Sequence, residues 1–214
     1  PTTVEITKDG VSFTSAAGLA GLGSYEIVEK LKDKYGKNAC ISCIGPAGDM
    51  ELLAASVMFT TPDFHLRVAA RGGLGAVMGS KKMKAVIVDD TGSNLVEVKD
   101  PAKLKESCGV INKVILGDHF AQGLRHMGTP QIVMITQTAG ALPTKNFSMG
   151  QFDQAEKISG EYMEELLRKR PNSATVHACM KGCIISCSNV YTDDDGKFVT
   201  ASIEYESIAL IGSN

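Results

Sequence analysis

The chain has 214 residues, 43% hydrophobic and 21% charged, which suits one large or two small soluble domains with ample core. Its 22 Lys and Arg against 24 Asp and Glu leave a formal net charge of −2, giving no reason to expect nucleic acid or an anionic membrane as a partner. No apolar run reaches the roughly 18 residues of a membrane-spanning helix, and Pro1-Thr2-Thr3-Val4-Glu5 lacks the basic and apolar regions of a signal peptide.

Six cysteines are too few for a disulfide scaffold, so the reducing cytoplasm is the expected compartment. Clustered thiols there indicate metal or redox work. The chain lacks an initiator Met, and Glu206 to Gly212 reads as the start of an apolar element. Both ends are therefore expected to be cut from a longer protein.

In chain order, Val4-Glu5-Ile6 and Val11-Ser12-Phe13 read as strands, followed by a Gly/Ala loop. Ser24 is expected to N-cap a helix carrying Ile27, Leu31 and Tyr35, closed by Gly36. Ala39 to Ile44 reads as a buried strand, Gly45 to Asp49 as a turn. Leu52 to Thr61 fits either helix or strand. Arg71 to Lys81 reads as a glycine-rich loop, Ala85 to Val88 as a strand, and Asp89 to Asn94 as a linker.

Beyond residue 100 the texture turns helical. Asp100-Pro101 fits an N-cap with Pro at the first helical position, and Leu104, Cys108, Ile111 and Ile115 mark one face. A shorter helix is expected over Phe120 to His126. Gln131 to Thr136 fits either type, and Leu142 to Phe147 is irregular at Pro143. Glu156 to Arg170 reads as a helix. A hairpin follows, with arms 189–192 and 197–200.

Cys179, Cys183 and Cys187 carry the strongest chemical signal. Thiolates suit zinc, copper(I) and iron–sulfur clusters. Zinc favours tight pairs matched by a second pair; Cys40-x2-Cys43 is the only other pair and flanks an expected strand. The spacing is one residue from the radical SAM loop, but Ser186 stands where that loop usually has an aromatic residue. Three buried thiols acting as small hydrophobes are the plain alternative. Gly182 and the polar flanks His177, Lys181, Ser186 and Ser188 favour a loop.

Arg71 to Lys81 fits an anion cradle and a structural turn about equally. It is no Walker A motif, because Lys81 follows Ser80. Glu204-Tyr205-Glu206 is a carboxylate pair for proton transfer or an ordinary solvated edge. His65, His119, His126 and His177 form no paired motif, and only His177 lies near the cysteines.

Several ordered segments resemble the tungsten-dependent aldehyde ferredoxin oxidoreductase family. Ile44-Gly-Pro-Ala-Gly-Asp49 resembles its IGPAGE turn, and Arg71 to Lys81 with Lys84-Ala85 its most recognisable stretch. Leu142-Pro-Thr-Lys-Asn-Phe147 resembles LPTRNF. Glu204-Tyr-Glu206 and Ala209 to Asn214 resemble EYET and ALGSN. The cysteines fall between these, with one residue more in the first gap than the family's C-x2-C-x3-C.

The resemblance implies an α+β fold: a β-rich N-terminal pterin-base domain over 1–92, then a mostly helical domain with the cysteine cluster over 93–214. It implies tungsten or molybdenum on a bis-pterin, with Mg bridging the pterins, beside a [4Fe–4S] cluster. The implied activity oxidises an aldehyde to the acid, with ferredoxin as acceptor and the full-length protein a homodimer. Cys179, Cys183 and Cys187 would be cluster ligands. Arg71 and the Gly72, Gly73, Leu74 and Gly75 backbone would meet pterin phosphate or its magnesium. Glu206, with Tyr205 beside it, would be the candidate general base, and Glu204 the reserve. The fourth cluster cysteine, later pterin motifs and a catalytic histidine lie in family sequence beyond this stretch. The piece alone is therefore expected to be inactive. The competing reading is an iron–sulfur or structural module without aldehyde chemistry.

Overall fold

The computed structural model describes residues 1–94 and 96–213, in two compact units split between Glu97 and Val98. The fold is α+β. Asn214, the last residue of the ALGSN-like segment, lies outside the described residues.

The first unit is a six-stranded sheet of order β2-β1-β6-β3-β4-β5. Its strands are β1 (Thr2–Thr7), β2 (Gly10–Ser15), β3 (Cys40–Cys43), β4 (Val57–Thr60), β5 (Leu66–Ala69) and β6 (Met83–Val88). Among the described residues, only β1 and β6 pair in parallel. Alternation decides the core face: Ile41, Cys43, Ala85 and Ile87 point inward and meet Ile27, Val28 and Leu31 of α1 (Ser24–Tyr35). Gly23, not Ser24, is the N-cap, because Glu26 reaches back to accept the Gly23 N–H at 2.8 Å. Gly36, at φ +79°, closes the helix.

Two readings change here. Gly45 to Asp49 is more than a turn: Pro46–Asp49 forms the one-turn helix α2. The glycine-rich stretch is not a loop: a tight turn over Arg71–Gly73 leads into α3 (Leu74–Ser80). Glycine weakens a helix by about 1 kcal/mol, but here it allows close packing. The Gly75 N–H donates to the Ala55 carbonyl at 2.9 Å, and a Cβ on Gly75 would stand 2.6 Å from the Ser56 oxygen. A Cβ on Gly79 would overlap the Gly48 carbonyl. Beneath this contact the fully buried Lys84 ammonium meets Asp49 Oδ2 at 2.6 Å, and Asp49 also accepts the Gly21 N–H at 3.1 Å.

The second unit contains α4 (Pro101–Gly117), α5 (His119–Met127), α6 (Ile132–Thr138), α7 (Gly160–Lys169) and α8 (Tyr205–Ile208). They accompany an antiparallel sheet of order β7-β8-β9, formed by Ala174–His177, Ser188–Thr192 and Phe198–Ala201. Asp100 caps α4 through the Lys103 N–H at 3.0 Å, and Asp118 caps α5 through the Ala121 N–H at 2.8 Å. Ser159 caps α7, so that helix starts four residues later than the expected Glu156. Two small cores form, one on Val133, Leu142 and Ala155, the other on Met163, Leu167 and Tyr191.

The apolar face of α4 is not buried within this unit: Leu104 is 50% and Ile111 56% exposed. Lys145, Asn146 and Phe147 are consecutive left-handed residues, at φ +49°, +55° and +63°. The turn is held where Lys145 N–H donates to the Ser213 carbonyl and Ser213 Oγ donates to the Pro143 carbonyl at 2.7 Å.

Candidate metal centre

The three cysteines sit on the loop 178–187, which joins β7 to β8. It is a loop because Gly182 (φ +82°) and Ser186 (φ +54°) both need left-handed backbone, which no helix tolerates. Cys179, Cys183 and Cys187 are free and half-buried. Ser186 braces the loop from within: its N–H points to Cys183 Sγ at 3.5 Å, and its hydroxyl donates to the Cys183 carbonyl at 2.9 Å.

Burial, then the charge of Glu204, then the neighbouring sulfurs of Cys179 and Cys183 raise the Cys187 thiol above its ordinary value. The three sulfurs therefore share one electrostatic neighbourhood. Among the described residues they do not all come within 4.8 Å of one another. One tetrahedral zinc, with Zn–S near 2.3 Å, holds its sulfurs about 3.8 Å apart. A cubane takes each thiolate on a different iron and suits wider spacing. Three soft thiol donors on one loop are a set compatible with an iron–sulfur cluster.

The end of α5 supports this loop. Arg125 Nη1 donates to the Ile184 carbonyl at 2.6 Å. Gly128, at φ +68°, lies so close that a Cβ would stand 2.8 Å from the Cys187 carbonyl oxygen. The next residue, Thr129, holds the Glu204–Glu206 segment: its hydroxyl donates to Glu204 Oε2 at 2.6 Å and accepts the Tyr205 N–H at 2.8 Å. That segment is neither strand nor edge: Glu204 is the N-cap residue of α8. The Tyr205 hydroxyl reaches Thr136 Oγ1 at 3.2 Å, while Glu206 is exposed. The cysteines and Glu204 are thus brought together, and Glu206 stands on the outward side of α8. Sequence pattern gave no sign of Arg125, Gly128 or Thr129, whose partners lie 59 to 76 residues away for the two side chains.

The other candidate residues belong to the first unit. Arg71 and Gly72 are exposed, and the space a Gly72 side chain would occupy is open. Gly73 and Gly75 back onto the 53–56 segment, and the Gly75 N–H is already used by Ala55. Cys40 is exposed and Cys43 buried, as strand residues three apart must be, so they do not form a ligand pair.

Two family models match the chain. The aldehyde ferredoxin oxidoreductase N-terminal domain matches residues 1–90, and domains 2 and 3 of that family match residues 107–214. Tungsten-containing aldehyde ferredoxin oxidoreductases of Pyrococcus abyssi and Thermococcus kodakarensis are each 36% identical across the whole chain. That of Pyrococcus furiosus is 32% identical. The chain spans about a third of the length of these relatives, 33% or 34%. Among solved structures, the active site complex BamBC of benzoyl coenzyme A reductase, in complex with 1,5 dienoyl-CoA, shares the fold. It has a TM-score of 0.68 at 20% identity over 94% of this chain and 31% of that one.

Proposed function

The chain belongs to the aldehyde ferredoxin oxidoreductase family, and from that premise we propose that it is the N-terminal part of an enzyme oxidising an aldehyde to its acid. The observation that carries the redox reading is the three-thiol loop, braced by α5 and facing Glu204. When bound, a tungsten or molybdenum bis-pterin would supply two-electron oxidation of the substrate, and a [4Fe–4S] cluster would supply a one-electron relay towards ferredoxin.

Cys179, Cys183 and Cys187 would supply three thiolates to that cluster. Their deprotonation accompanies metal binding, which offsets the burial that holds the Cys187 thiol up. Arg71 and Gly72 offer an exposed cation beside open backbone, which suits a pterin phosphate or its magnesium. Gly73, Leu74 and Gly75 would then shape the turn behind them, since the Gly75 N–H is committed to Ala55. Glu206 is the better-placed general base: it is exposed, whereas Glu204 accepts the Thr129 hydroxyl. Tyr205 anchors both through Thr136 and Thr129.

The test is aldehyde-dependent dye reduction by the full-length protein prepared without oxygen. Glu206→Gln should lower kcat about 10²- to 10⁴-fold with metal content kept. An unchanged kcat would remove Glu206 from the reaction. Iron without any aldehyde-dependent reduction would favour an electron-transfer module instead.

A further inference from the structure

We propose that Arg125 is the positioning and charge-balancing residue of the cysteine loop, an inference that rests on Cys179, Cys183 and Cys187 binding an iron–sulfur cluster. The last turn of α5 lies against the loop at two places. The Arg125 guanidinium donates to the Ile184 carbonyl at 2.6 Å, and the Gly128 backbone abuts the Cys187 carbonyl.

The charge of Arg125 matters as well as its hydrogen bond. Its side chain is half-buried, yet among the described residues it has no carboxylate within ion-pair distance. Lys84 pairs with Asp49 at 2.6 Å and Arg170 with Asp194 at 3.3 Å, while half-buried Lys32 lies over the Phe64 ring at 4.8 Å. A sheltered charge without a counter-charge is costly, and it becomes favourable when an anion arrives nearby. Three thiolates around an iron–sulfur core supply net negative charge next to Ile184.

The same charge acts on electron transfer. Reduction adds one electron to an anionic centre, and a fixed cation nearby stabilises the reduced form. Arg125 therefore raises the midpoint potential, besides fixing the course of the loop between Cys183 and Cys187.

The experiment compares full-length wild type, Arg125→Lys and Arg125→Gln, all prepared anaerobically. It measures iron and labile sulfide per chain and an EPR-monitored redox titration. Arg125→Gln should keep less cluster, and what it keeps should titrate lower, by about tenfold in the reduced-to-oxidised ratio, or about 59 mV for one electron. Arg125→Lys should stay near the wild-type potential. A Gln variant with wild-type iron and potential overturns the proposal. Equal losses in both variants also overturn the charge role and leave Arg125 a packing residue. Wild type without iron defeats the underlying cluster reading instead, and this proposal falls with it.

Discussion

The Thr129 hydroxyl donates to Glu204 Oε2 at 2.6 Å, joining the end of α5 to the start of α8 across 75 residues of chain. The Thr129 hydroxyl oxygen also accepts the Tyr205 N–H at 2.8 Å, so one hydroxyl fixes a carboxylate and a helix start together. Thr129→Val keeps the shape and removes both bonds. It should cost about 1–3 kcal/mol of stability, since one partner is charged. Thr129→Ser should recover most of it. Urea unfolding checks this, and equal midpoints for Val and wild type would contradict it.

Burial pushes the Cys43 thiol from its ordinary 9.0 up to about 11, with the Lys84 charge and a Ser24 hydrogen bond pulling partly back. In the unfolded chain the thiol ionises first, near pH 9. The stabilisation from keeping it neutral is thus fully present below that pH and is lost as pH rises towards 11. Two pH units correspond to roughly 2.7 kcal/mol at most. Unfolding curves between pH 8 and 11 should fall less steeply for Cys43→Ala than for wild type. Parallel curves would show that Cys43 is not the source.

The glycines of α3 and of the turn before it should differ in what they tolerate. Gly79→Ala drives a methyl into the Gly48 carbonyl and should cost more than about 2 kcal/mol. Gly72→Ala meets open space and carries only the left-handed penalty of about 1–2 kcal/mol, from φ +83°. Thermal unfolding of the two variants gives the order, and the reverse order would contradict the packing described.

Leu104 and Leu142 are both apolar and make opposite predictions. Leu142 is fully buried, so Leu142→Ala should cost about 2–5 kcal/mol. Leu104 is 50% exposed on α4, so Leu104→Ala should stay within about 0.5 kcal/mol for this chain. A large loss at Leu104 would mean that its face is covered.

Local signals were legible in the sequence. Asp100-Pro101 starts α4, Gly36 ends α1, and the Asp193 to Gly196 turn sits inside the β8-β9 hairpin, with arms 188–192 and 198–201. Gly182 and the polar flanks correctly put the cysteines on a loop. What was hidden depends on packing. Glycine count suggested a loop at 71–81, whereas close approach of α2 and the 53–56 segment makes it a helix. The short strands β5 and β7 have too few residues to show a period. The periodicity of α4 identified the helix but not whether its face is covered. Thr129, Gly128 and Arg125 have no motif, because tertiary contacts alone give them their roles.

Metal analysis of the full-length protein, purified without oxygen, decides whether Cys179, Cys183 and Cys187 hold an iron–sulfur cluster. The expected result is roughly four iron and four labile sulfide per chain, with tungsten or molybdenum and pterin present, and iron lost on Cys183→Ser. Zinc in place of iron, or iron unaffected by that substitution, would contradict the cluster on Cys179, Cys183 and Cys187. Iron without tungsten, molybdenum or pterin would contradict the aldehyde chemistry.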